Sequence, residues 1–390
     1  MTTSDPRDAS APDPRAPLRE AFVEAHGWPR AALRPLTADA STRRYFRLVE
    51  GDRRAVLMDA PPAAETAACP PGATWEERIA LGYNAQARLA GPEPRAFTGA
   101  AAWLRAQGLS APDVSAADHI QGLLLLEDLG DDLFARVIEA GTPPRALYET
   151  AVDLLVHLHG REAPDRLAVE DGSHWPLLTY DALALRAEID LFLDWYWTAA
   201  TEASCVPSAL RAAYHAAWDP VLASLENAQP VFVHRDYHAE NLVWLPGRTG
   251  PARVGLLDFQ DALRGPEAYD LVSLLTDARR DVEPWLAEAM LERYSAARLQ
   301  GGMPFDDAAF RSAYAVVSAQ RTAKILGIFA RLCYRDGKLR YLGFMPRLWR
   351  SMDEALAHPA LSSVAGWFSA HVPPDLRGNA LAARGAPGRT

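Results

Sequence analysis

The sequence predicts an α+β fold in two unequal lobes, a small mostly antiparallel sheet followed by a larger, mainly helical body. Three observations carry this. Short β-prone runs cluster early, at 33–36, 45–49 and 54–59, around a hairpin turn at Glu50-Gly51-Asp52. Beyond residue 133, apolar residues recur at helical spacing over long stretches. Within that helical part, two brief apolar runs, Val231 to Val233 and Val254 to Leu257, lead into polar segments and deliver acids at strand ends.

A chain of 390 residues, 49% of them hydrophobic, has ample material for a core in each lobe. Forty basic against fifty acidic residues give a net charge of -10, which argues against a general nucleic-acid or membrane-surface binder. Cys69, Cys205 and Cys333 are far apart and odd in number, with neither metal-ligand spacing nor a disulfide framework, so a reducing cytoplasm is expected. The first sixteen residues lack the apolar core of a signal peptide, and no apolar run reaches membrane-spanning length. A cytoplasmic monomer taking a small-molecule partner is the expectation.

The stretch from 231 to 261 is the densest in chemistry. It reads Val-Phe-Val-His234-Arg235-Asp236-Tyr-His238-Ala-Glu240-Asn241, and later Val254-Gly-Leu-Leu-Asp258-Phe-Gln260-Asp261. An acid in the first loop, an Asn five positions on and an acid ending the next strand suit Mg²⁺-dependent phosphoryl transfer. Asp236 can accept the proton of an attacking hydroxyl, while Asn241 and Asp258 offer hard oxygen ligands to Mg²⁺ on ATP phosphates. Singly, each is a chance motif or a turn former; as an ordered set, with the spacing of the protein-kinase catalytic Asp and metal-binding Asn, they point to a kinase.

This loop resembles that of the aminoglycoside phosphotransferase and choline kinase superfamily. More narrowly, Asp39-Ala-Ser-Thr-Arg-Arg-Tyr-Phe-Arg47, Met58-Asp-Ala-Pro-Pro62, Leu-Leu-Glu127-Asp128-Leu-Gly130, Leu257-Asp-Phe-Gln-Asp261 and Gln320-Arg321 through Arg335-Asp-Gly-Lys338 are similar to the bacterial N-acetylmuramate/N-acetylglucosamine 1-kinases of cell-wall recycling. The resemblance runs from about residue 32 to 350. It implies a protein-kinase-like fold that uses ATP and Mg²⁺ to phosphorylate the anomeric hydroxyl of an amino sugar.

The elements then take roles in order. Residues 1–16 and 375–390 carry the Pro, Gly and Ala bias of disordered tails. A short amphipathic helix is expected from Leu18 to Ala25, and the nucleotide-binding lobe spans 17–128. After its first strand, Ser41 and Thr42 are small enough for backbone amides to approach phosphates, with Arg43 and Arg44 beside them as cations. The third strand has Met58 about where kinases place a phosphate-binding Lys, and the helix expected over 97–107 contains no Glu to pair with one. Residues 63–95 read as an insertion, with an amphipathic piece from Trp75 to Leu89. The run Gly122 to Gly130 would form the hinge, where backbone groups of Glu127 and Leu129 meet adenine.

The second lobe spans 129–374 and begins with helices at 133–140, 144–159, 182–197 and 208–226. Glu188 and Trp195 lie on an aromatic-rich face suited to a sugar ring. His234 and Asp270 are expected to brace the loop, and His238 either contacts the acceptor or holds the loop. Between 321 and 350 eight basic residues face the single acid Asp336, and Arg321, Lys324 and Arg331 share a helical stripe. That excess suits an anionic acceptor better than a cationic aminoglycoside. Choline, homoserine and aminoglycoside kinases remain as rivals, and the missing Lys also leaves open a nucleotide-binding pseudokinase.

Overall fold

The structure, a computed structural model, describes residues 13–36, 42–62, 66–227 and 229–384. Helix α1 (Ala16–Ala25) precedes a five-stranded antiparallel sheet of β1 (Leu33–Pro35), β2 (Arg44–Glu50), β3 (Arg53–Asp59), β4 (Val114–Asp118) and β5 (Leu123–Leu126), in the order 1-2-3-5-4. Strand alternation sorts the side chains of this sheet. Phe46, Leu48, Leu57, Leu123 and Leu125 pack with Phe22 and Val23 of α1, whereas Tyr45, Val56, Met58, Leu124 and Leu126 face the opposite, larger core. Met58 is thus a core residue at 1% exposure, and its strand offers the cleft no cation.

Asp59, at the end of β3, is fully buried and neutralised by Arg15 at 2.6 Å and Arg19 at 2.8 Å. Residues 13–16, read as part of a disordered tail, are therefore docked on the sheet. A similar correction applies at the other end. Residues 380–383 form a helix whose Leu381 is fully buried, and Arg377 pairs with Asp353 at 2.7 Å.

Between β3 and β4 lie α2 (Trp75–Leu81), α3 (Tyr83–Gln86) and α4 (Pro94–Ala106). A capping box of Thr74 and Glu77 starts α2, and Gly82 at φ +92° ends it, splitting the single amphipathic piece expected there. The helical lobe then comprises α5 (Phe134–Glu139), α6 (Pro144–His159), the hairpin β6 (Arg166–Ala168) and β7 (His174–Pro176), α7 (Ala182–Leu191), a π-helical turn (Phe192–Trp197), α8 (Thr198–Thr201) and α9 (Ser208–Ala223). After β8 (Val231–Val233), β9 (Leu242–Trp244), β10 (Val254–Leu256) and β11 (Leu263–Gly265) come α10 (Ala268–Leu275), α11 (Pro284–Gln300), α12 (Asp307–Tyr334), α13 (Met345–Leu356), α14 (Ser362–His371) and α15 (Ala380–Ala383).

Two features place the site. β8 pairs with β11 and β9 with β10, so the loop from 234 to 241 and the start of 258–262 emerge side by side. Helix α12 comes so close to α7 that a Cβ on Gly327 would lie 2.3 Å from the Leu191 carbonyl carbon. That approach presses the middle of α12 toward the loop. The lobes are joined at the hinge by Arg47, which pairs with Asp128 at 2.8 Å and Asp131 at 2.6 Å, and by Ser110, whose hydroxyl donates to the Ala252 carbonyl at 2.6 Å. Among the described residues, no helix is long and apolar enough to cross a membrane.

Candidate active site

In the polar stretch from 234 to 261, Asp236, Asn241 and Asp258 are each half-exposed, while His234, Arg235, His238, Phe259 and Gln260 are buried. The three therefore reach solvent from a buried frame, with Asp236 and Asp258 in each other's field. The Asn241 side-chain amide donates to the backbone carbonyl of Asp236 at 2.9 Å, and the Leu257 amide donates to the Asn241 carbonyl at 3.0 Å. Gln260 donates to Asp258 at 2.8 Å. One oxygen of Asn241 and one of Asp258 stay clear of these bonds.

The backbone here is strained. Arg235 and Asp258 both adopt left-handed φ values, +80° and +60°, which side-chain-bearing residues avoid at a cost of about 1–3 kcal/mol each. Asp270 holds the first of them: its carboxylate oxygens accept the His234 amide at 2.7 Å and the Arg235 amide at 2.9 Å. Burial pushes the Asp270 carboxyl up to about 7, against the opposing pull of those two amides. Asp270→Asn puts a donor against a donor at one of them. We expect it to cost about 1–3 kcal/mol in a urea titration, with a parallel loss of turnover; unchanged stability and turnover would remove Asp270 as a brace. His234 stands edge-on to Tyr237 and Phe259, and burial holds it down at about 4, so it is neutral.

Cations surround Asp236. Burial pushes its carboxyl upward, but Lys324 first, with Arg321 and Arg235, outweighs this and holds it below the ordinary value. Asp258 is shifted the other way, raised by burial and by Asp236 and opposed by Arg43 and the Gln260 amide. The two acids are thus kept apart in basicity by their neighbours.

Arg321, Lys324 and Arg331 do lie on one stripe of α12, in three different settings. Arg321 is buried and acts on both Asp236 and Asp270. Lys324 pairs with Glu188 at 2.6 Å and donates to the Tyr269 hydroxyl at 3.3 Å. Arg331 sits 5.8 Å from the ring centre of Tyr83. Three of the other five basic residues are paired elsewhere: Arg335 with Asp336, and Arg347 and Arg350 both with Asp281, each at 2.6 Å.

Several expected site residues are placed differently. Glu188 does not face a cleft; it is fully buried and receives Arg235 at 2.6 Å, Lys324 at 2.6 Å, Gln320 at 2.9 Å and the Tyr180 hydroxyl. Trp195 lies in the π turn, half-buried against the core in which Phe192 and Tyr196 stack 5.2 Å apart. Arg44 points to the α1 side of the sheet and pairs with Asp13 at 2.7 Å, whereas Arg43 turns inward toward Asp258 and donates to the Gly91 carbonyl at 3.1 Å. Ser41 lies outside the described residues, and Thr42 is exposed.

At the hinge the Glu127 side chain pairs with Arg248 at 2.5 Å, and its amide donates to the Asp113 carbonyl at 2.8 Å. Among the described residues, the Glu127 carbonyl and the Leu129 amide carry no backbone hydrogen bond. The His238 ring contacts the Glu240 amide at 3.3 Å and Arg279 at 3.4 Å, and burial lowers it to about 4.

Sequence reading missed Arg235, Gln260 and Gln320. Nothing local marks them, because each matters through a partner brought in by the fold.

The fold and this cleft define a phosphotransferase. The model of the phosphotransferase enzyme family matches residues 32–307, and the chain belongs to that family. The N-acetylmuramate/N-acetylglucosamine kinase of Caulobacter vibrioides is 49% identical over 97% of this chain and 100% of that protein. The enzyme of the same name from Pseudomonas aeruginosa is 34% identical over 91% of this chain and 94% of its own length. Among solved structures, the choline/ethanolamine kinase family protein from Mesorhizobium loti shares the fold, with a TM-score of 0.50 at 15% identity, covering 90% of this chain and 98% of that one.

Proposed function

We propose that this chain transfers the γ-phosphoryl group of ATP to the anomeric hydroxyl of N-acetylmuramate or N-acetylglucosamine. The observation that supports the chemistry is that Asp236, Asn241 and Asp258 are half-exposed on one buried frame, Asn241 bonded to the Asp236 backbone and Asp258 in the field of Asp236. The choice of acceptor follows the near-full-length relatives and the cations of α12.

Asp236 receives the proton of the sugar hydroxyl. Held ionised by Lys324 and Arg321, it is a weak base, which suffices because an anomeric hydroxyl is more acidic than an ordinary alcohol. Asn241 and Asp258 would hold Mg²⁺ through their uncommitted oxygens. When bound, that ion neutralises triphosphate charge. Among the described residues, no group of three or more His, Cys, Asp or Glu is gathered for a metal, so a cation here needs oxygens from the nucleotide as well. Arg43, in the field of Asp258, supplies the cation that β3 lacks. The Glu127 carbonyl and Leu129 amide are the groups left for adenine. In this scheme residues 17–128 bind nucleotide and 129–374 bring the acceptor and the base. The three free cysteines suit a cytoplasmic enzyme.

A coupled ADP-release assay over anionic, neutral and cationic sugars tests the reading. N-acetylmuramate and N-acetylglucosamine should turn over and aminoglycosides should not. Release of ADP with aminoglycosides alone would overturn the proposed acceptor.

A further inference from the structure

The segment from 66 to 93 is fastened at four points to the parts that frame the cleft. Arg78 of α2 is buried and grips the helix-capping Asp181 with both nitrogens, at 2.5 and 3.0 Å. The Ala87 carbonyl accepts from Arg235 at 2.9 Å, the Ala90 amide donates to Asp261 at 2.6 Å, and the Gly91 carbonyl accepts from Arg43 at 3.1 Å. Its ends close on each other, since a Cβ on Gly91 would stand 2.5 Å from the Thr66 carbonyl oxygen. The segment is therefore a fixed wall joining the sheet, the 234–241 loop and the start of α7.

Tyr83 is what this wall presents. It is half-buried, and its hydroxyl stands in the field of Glu188, Lys324, Arg235 and Arg331. Lys324 also acts on Asp236, so the phenol and the base share the field of one ammonium group. Glu188, the carboxylate of this neighbourhood, is already filled by four donors. Among the described residues, Arg331 Nε is buried without a hydrogen-bond partner, and the Arg331 guanidinium stands 5.8 Å from the centre of the Tyr83 ring. A half-buried phenol beside a guanidinium that has an unpartnered donor matches a carboxylate.

We propose that Tyr83 and Arg331 form the subsite for a carboxylate on the acceptor, and that the 66–93 segment exists to place Tyr83 there. This rests on the acceptor reading above and sharpens it: the pair selects for an acidic sugar over its neutral counterpart, with Tyr83 a specificity-determining residue outside the phosphoryl-transfer machinery. The aromatic ring also offers a face to the pyranose.

The test compares kcat/KM for N-acetylmuramate, which carries a carboxylate, with that for N-acetylglucosamine, which does not, in the full-length enzyme at saturating ATP. Tyr83→Phe keeps the ring and the wall. It should lower kcat/KM for the acidic sugar about tenfold, chiefly through KM, and for the neutral sugar by less than about threefold. Arg331→Gln should do the same, to a larger extent. An equal fall for both sugars, or no fall for either, would overturn the assignment. Asp236→Asn in the same assay separates the two levels: if it is inactive while Tyr83→Phe and Arg331→Gln match wild type, only this inference fails. Failure of the wild-type enzyme to turn over either amino sugar would bring down the acceptor reading and this subsite together.

Discussion

Asp236→Asn is expected to lower kcat by about a thousandfold or more while leaving the KM for ATP within about twofold of wild type. The substitution keeps the shape of the side chain and removes its basicity. The loop should survive it, because its geometry is held by the backbone carbonyl of Asp236 accepting from Asn241 and by Asp270 gripping the two preceding amides. Neither contact uses the Asp236 carboxylate. A coupled assay at saturating sugar measures the effect, and a kcat within tenfold of wild type would exclude Asp236 as the base.

Glu188→Ala should be the most destabilising single change in this neighbourhood. Its carboxylate receives two cations, an amide and a phenol, so truncation strands Arg235 and Lys324 in the core without a counter-charge. Breaking a buried pair from one side costs about 3–5 kcal/mol. Burial opposes ionisation of Glu188, yet Lys324 and Arg235 outweigh it and hold the carboxyl at about 2, below the ordinary 4.5. Because the folded value is the lower one, this stabilisation is complete above the unfolded value and is lost as pH falls toward about 2. Urea midpoints of wild type and Glu188→Ala should therefore differ at neutral pH and converge as the pH falls toward about 2. Equal midpoints at neutral pH would refute a structural hub at Glu188.

The contrast between these two acids marks what the chain could disclose by itself. The placement of Asp236, Asn241 and Asp258 at strand ends and in the loop was legible because strand and loop patterns are local properties. Glu188 was misread, since the aromatic stripe of α7 does not say which of its faces the rest of the fold covers. Arg43 and Arg44 look equivalent in sequence, yet Arg43 lies just before β2 and is buried against Gly91, while Arg44 opens the strand and pairs with Asp13. Arg235 reaches Glu188 and Ala87, 47 and 148 positions away, and no local signal foretells such pairs. Distance in sequence likewise hid Asp281, which neutralises Arg347 and Arg350 from 66 and 69 positions earlier. It hid the purpose of the 66–93 segment too, whose composition says only that it is extra.

The small sheet and the long helices were expected from periodicity, yet β4, β6, β7, β9 and β11 went unrecognised. Their short runs carry little pattern, and pairing with neighbours makes them strands.

The most direct measurement on the central claim is phosphorus NMR of the product formed from ATP and N-acetylmuramate. The arrangement of Asp236 against the metal-binding pair predicts a single new sugar phosphate whose phosphorus couples to the anomeric proton. A phosphorus coupled instead to the C6 methylene protons, or no sugar phosphate at all, would contradict it.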